Sequence, residues 1–125
     1  MSLTVLIVDD SKLARIVAGK ALAELQPGWN KIEASGADDA LALLETRSAD
    51  IALIDFNMAG KDGLELATEL RSLYSEMPIA IITANIQDEI VARARSIGAA
   101  FVPKPVTTDG LEGFITGAAL RLRSQ

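Results

Sequence analysis

Thr4-Val5-Leu6-Ile7-Val8-Asp9-Asp10 is an aliphatic run of strand length that ends in two adjacent carboxylates. Three later runs also end in a reactive or metal-binding side chain. Ile51-Ala52-Leu53-Ile54 leads to Asp55, Ile79-Ala80-Ile81-Ile82 to Thr83, and Phe101-Val102-Pro103 to Lys104. Strands that alternate with single helices imply right-handed crossovers and a parallel sheet covered on both faces. Parallel strands point one way, so their C-terminal residues converge on the edge where open α/β sheets bind ligands. Three carboxylates, a hydroxyl and an ammonium gathered there suit a divalent cation handled together with a phosphoryl group.

The segments between the runs have helical spacing. Leu13, Val17, Ala21 and Leu25 mark the inner stripe of a first helix, which Pro27-Gly28 ends. Ser35 with Asp38 has the form of a helix start, and Asp62 with Glu65 that of a capping box before Leu66, Leu70 and Leu73. A fourth helix carries Ile90, Ala94 and Ile97 and stops at Gly98. A fifth runs from about Asp109, with Glu112 at its N3 position, and buries Leu111, Ile115, Ala118 and Leu122. Lys31-Ile32-Glu33-Ala34 is the most polar strand and belongs at an edge, whereas the first, third and fourth read as doubly buried. The expected fold is α/β and flavodoxin-like: a doubly wound five-stranded parallel sheet, order 2-1-3-4-5, with five helices. Asp9, Asp10 and Asp55 then meet where the strand order reverses.

Composition narrows the chemistry. The 125 residues suit one domain, with 50% hydrophobic residues for its core. Without cysteine there is no disulfide or thiolate chemistry, and without histidine no Ser-His-Asp hydrolysis and no phosphohistidine on this chain. A net charge of −5 argues against direct nucleic-acid binding. No apolar run approaches the ~20 residues that span a bilayer, so no membrane role and a cytoplasmic location are expected.

Three neighbouring carboxylates repel, and a hard cation relieves them. Magnesium takes oxygen ligands and accepts one or two carboxylates plus a phosphate oxygen. A carboxylate beside it can act as a nucleophile toward phosphorus. Asp9-Asp10, Asp55-Phe56-Asn57-Met58, Asp62-Gly63, Thr83-Ala84 and Lys104-Pro105 together closely resemble the CheY-like receiver domain of two-component response regulators, over essentially residues 1–125. The resemblance implies that Asp55 is the phosphoacceptor. It implies Mg²⁺, with Mn²⁺ able to substitute, bound by Asp10 and Asp55 directly, by the Asn57 carbonyl, and by Asp9 through water. Thr83, followed by Ala84, would be the switch hydroxyl, Phe101 the switch aromatic and Lys104 a contact to the phosphoryl group. A cis peptide before Pro105 is implied too. The pattern departs from the family at Ala59-Gly60, where proline usually follows the methionine; the freed torsion predicts a more mobile loop.

Other functions fit less well. A phosphatase of the haloacid dehalogenase type would carry an aspartate two residues after the nucleophile, and Asn57 cannot protonate a leaving group. Asp9-Asp10-Ser11-Lys12 is hostile to a flavin phosphate. A degenerate scaffold would not fill every chemical position. The expected function is a phosphorylation-activated switch, itself not an enzyme beyond its own phosphotransfer and autodephosphorylation, and with no output domain in this chain. The alternative is the receiver fragment of a larger regulator or hybrid kinase. Expected partners are a sensor histidine kinase or histidine phosphotransfer protein, and a downstream protein or second copy on the surface of helix four, strand five and helix five. The donor is expected on helix one, at Ile16, Gly19 and Ala23 beside Arg15. The output partner is expected at Gly113, Gly117 and Leu120 of helix five.

Overall fold

The structure, a computed structural model, describes residues 2–84 and 87–123. Five strands, β1 (Thr4–Val8), β2 (Asn30–Ala34), β3 (Ile51–Asp55), β4 (Ile79–Thr83) and β5 (Ala100–Pro103), alternate with five helices. These are α1 (Lys12–Leu25), α2 (Ala37–Thr46), α3 (Gly63–Leu73), α4 (Asp88–Ser96) and α5 (Thr108–Arg123). The strands form one sheet in the order β2-β1-β3-β4-β5, every pairing parallel. Val8 lies beside Ile54, so Asp9 and Asp55 each stand one step past that pair.

The two sheet faces bury alternate residues of the same strands. Val5, Ile7, Leu53 and Ile82 pack with α1 and α5, through Ala18, Leu22, Leu111 and Ile115. Leu6, Val8, Ile54 and Ile81 pack with α2, α3 and α4, through Ala40, Leu66, Leu70 and Ala94. Covering both faces is what makes β1, β3 and β4 almost wholly apolar.

Three helices start as their caps dictate. Ser11 accepts from the Ala14 N–H at 3.2 Å and starts α1. Asp62 and Glu65 form the complete capping box of α3. Thr107, not Asp109, receives the Gly110 N–H and starts α5 one residue early. At α2, Gly36 takes the cap position, and Ser35 bonds Asp39 instead of Asp38. Gly98 adopts φ +66 just beyond α4, as a left-handed stop requires.

Helix α1 is turned relative to the expected stripe. A strict four-residue repeat drifts around a helix of 3.6 residues per turn; Ala21 is buried and Leu25 half-buried as expected, but Ala18 and Leu22 meet the sheet in place of Leu13 and Val17. Leu13 is 70% exposed, and Val17 is exposed beside it. Gly19, expected outside, is buried: a Cβ there would lie 2.5 Å from the Lys31 ammonium, whose stem crosses it from β2. Ile16 and Ala23 do face outward. In α3, Leu64 and Ala67 join Leu66 and Leu70 inside, while Leu73 is 63% exposed at the helix end.

An arginine ties two turns at the end of the sheet opposite the C-terminal ends of its strands. Arg71, in the last turn of α3, donates to the carbonyls of Met77 at 2.6 Å and Ser75 at 3.0 Å, and across to Ile97 at 2.7 Å. It therefore closes the exit of α3 and the exit of α4 together. Among the described residues no helix is long and apolar enough to cross a membrane.

Candidate functional site

The C-terminal edge of the sheet collects the predicted side chains. Asp9 is 4% exposed and Asp55 2%, while Asp10 reaches into solvent. One oxygen from each of these three carboxylates lies within 4.8 Å of the others. Lys104 Nζ stands 2.6 Å from Asp55 Oδ1. The Asp9 N–H donates to Ala34 O at 3.1 Å, and Asp9 Oδ1 accepts the Ser11 N–H at 2.9 Å.

Burial pushes the Asp9 carboxyl above its ordinary range, and the nearby Asp55 and Asp10 charges add to the rise. The Ser11 hydrogen bond and the Lys104 ammonium oppose it. The site is thus short of positive charge despite its lysine. Asp55 Oδ1 is buried and takes no hydrogen bond of normal geometry among the described residues, leaving only the ion pair. A buried anionic oxygen in that condition, with two further carboxylates in reach, fits a hard divalent cation and an incoming phosphoryl group.

The β3–α3 loop holds this arrangement. Gly60 has φ +79. A Cβ on Gly63 would sit 2.3 Å from the Asp55 carbonyl oxygen, and the Gly63 N–H donates to Phe56 O at 2.9 Å. The loop therefore folds back onto the backbone of Asp55, which only glycine permits. Lys61 pairs with Glu69 of α3, and Arg93 of α4 lies 3.7 Å from Asp62.

Asp9, Asp10, Asp55, Asn57, Ala84, Lys104 and Pro105 line one cleft of about 550 Å³, with Leu13, Val17 and Val106 on its apolar side. The Lys104-Pro105 peptide is cis. Thr83 and Phe101 do not line this cleft. Thr83 is buried at the end of β4, and its carbonyl accepts the Lys104 N–H at 3.1 Å. Phe101 is half-buried against the α4 side of the sheet. Arg15 is occupied within the chain, donating to the Asp9 carbonyl and to Glu33, which removes it from the outward strip expected on α1. Sequence spacing gave no sign of that contact, nor of the backbone approach at Gly63.

A family model described as the response regulator receiver domain matches residues 5–116, and this chain belongs to that family. A positive alginate biosynthesis regulatory protein from Pseudomonas aeruginosa is 36% identical over 87% of this chain, which spans 44% of that protein. The transcriptional regulatory protein PdtaR of Mycobacterium tuberculosis is 34% identical over 95% of this chain, which spans 58% of it. The chain therefore covers about half the length of these curated relatives. Among solved structures, the Vibrio cholerae chemotaxis protein CheY4 superposes with a TM-score of 0.84 at 26% identity, covering 94% of this chain and 99% of that one.

Proposed function

We propose that this chain is a phosphorylation-activated switch of a two-component or phosphorelay system, with Asp55 as the phosphoacceptor. The observation that carries the reading is the Asp55 carboxylate, 2% exposed, facing Lys104 at 2.6 Å beside Asp9 and Asp10. An Asp55 oxygen attacks phosphorus as the P–N bond of a partner phosphohistidine breaks, and the imidazole leaves with that electron pair. The product is an acyl phosphate, which water hydrolyses. Lys104 would transfer its pairing from the carboxylate to the phosphoryl oxygens. Asp9, Asp10, Asp55 and Asn57 would hold magnesium, which when bound neutralises the carboxylates and the phosphoryl charge. Thr83 would turn toward the new oxygens and Phe101 inward behind it, reshaping the α4-β5-α5 surface.

The donor, a sensor histidine kinase or phosphotransfer protein, would sit on α1. Exposed Leu13 and Val17, which line the acidic cleft beside Val106, and exposed Ile16 next to them support that placement. Gly19 drops out of the strip. The output partner, a downstream protein or a second copy, would use α5, where Gly113, Gly117 and Leu120 face solvent. The chain would act as a receiver module in the cytoplasm, either alone or within a larger regulator.

The test is intact mass after incubation with Mg²⁺ and acetyl phosphate. One phosphoryl group should add to the parent and none to Asp55→Asn. Equal labelling of both would overturn the assignment.

A further inference from the structure

Arg15 has a side chain only 15% exposed, although it stands on a surface helix. Its Nη1 donates to the Asp9 carbonyl oxygen at 2.6 Å and its Nε to Glu33 Oε1 at 3.0 Å. One guanidinium thus joins α1, the end of β1 and the edge strand β2. The Asp9 carbonyl belongs to the planar peptide unit that links Asp9 to Asp10, so whatever fixes that oxygen fixes the relative direction of the two residues. The Asp9 amide donates to Ala34 O and its Oδ1 accepts the Ser11 N–H, which leaves Oδ2 for a cation. The Asp9 carbonyl is taken by Arg15. Arg15 does not line the cleft, so it touches no ligand of that cleft directly.

A cation this near an acidic site could act through charge alone, and that effect would oppose metal binding. Glu33, at 3.0 Å, compensates it. Lys31 is 3.9 Å from the same carboxylate and more exposed, which makes it a weak competitor.

We propose that Arg15 is a positioning residue, oriented by Glu33, that fixes the Asp9–Asp10 peptide so both carboxylates address one cation. This rests on the magnesium-site reading above. Partners that orient metal ligands typically govern affinity by 10–100-fold.

Mg²⁺ titration by calorimetry tests it, using variants that leave the net charge unchanged. The double variant Arg15→Met with Glu33→Gln should bind Mg²⁺ about tenfold more weakly, and Arg15→Lys about threefold, since an ammonium reaches one partner in place of two. Thermal unfolding without metal should stay close to the parent's. Affinity within twofold of the parent in both variants would overturn the inference. Should the double variant not fold, Arg15→Lys decides alone. Asp10→Asn is run alongside: if it too binds Mg²⁺ like the parent, the magnesium reading fails, whereas a loss there with none at Arg15 removes only this inference.

Discussion

Asp9 carries a cost that its neighbours impose. Its carboxyl is raised chiefly by burial, so the folded state holds its proton to a higher pH than the unfolded chain does. The stability tied to that proton is full below the unfolded value and is lost as pH rises through the folded one. Once ionised, the side chain therefore opposes folding, a cost that a bound cation would offset. Asp9→Asn keeps an oxygen for the Ser11 N–H and removes the charge. The metal-free variant should melt about 3 °C higher than the parent, and the rise that Mg²⁺ gives the parent should shrink, both read by scanning calorimetry. Gly63 is constrained in another way. Alanine there would press on the Asp55 carbonyl, a backbone atom that cannot rotate aside. Gly63→Ala should cost about 1–3 kcal/mol in urea unfolding and slow phosphorylation of Asp55.

At the scale of elements, α1 behaves differently from what its sequence suggests, whereas α4 buries the residues its spacing implied but few of them. Only Ile90 and Ala94 of α4 are buried, so its hold on the body depends on links to α3. Arg71 anchors its exit through Ile97 O, and Arg93 meets Asp62 near its middle. Arg71→Met should cost about 2 kcal/mol, because several charged hydrogen bonds vanish together, and should speed amide exchange at residues 96–99 while leaving Asp55 labelling intact. The strands were readable because continuous aliphatic runs leave little choice of structure. Helix α1 was less so, since Leu13, Ile16, Val17, Ala18, Ala21 and Leu22 spread apolar groups over more than one face. Ile16, Leu13 and Val17 proved exposed. Val17→Glu should slow transfer from a cognate histidine protein severalfold and spare acetyl phosphate labelling; equal slowing of both would indicate a folding defect. For α5 the inner and outer residues fell as the periodicity implied, apart from Leu122, which is half-buried, and Ala119, which is buried as well. Leu120→Lys with Gly117→Glu should leave folding and labelling intact and abolish phosphorylation-dependent association, measured by sizing with and without beryllofluoride.

Across the whole molecule, the acidic site was legible because topology does the assembly: residues far apart in sequence share one sheet edge once strand order is known. Asp9, Asp10, Asp55 and Lys104 needed only that rule, whereas Asn57 came from the family resemblance. Arg15, Arg71 and Gly63 needed coordinates, since an arginine reaching for a carbonyl and a glycine under a backbone leave no periodic trace. The outer side of β5, the last strand of the sheet, carries a proline. The Lys104 N–H turns inward to Thr83, so the nitrogen of Pro103, one residue earlier, faces outward and has no hydrogen to offer. A strand laid along that border would find its ladder interrupted at once. A second copy laid on this side would therefore lose a backbone donor at Pro103 and lean more on side chains. At high concentration Pro103→Val should form sheet-like precipitates that bind thioflavin more readily than the parent does.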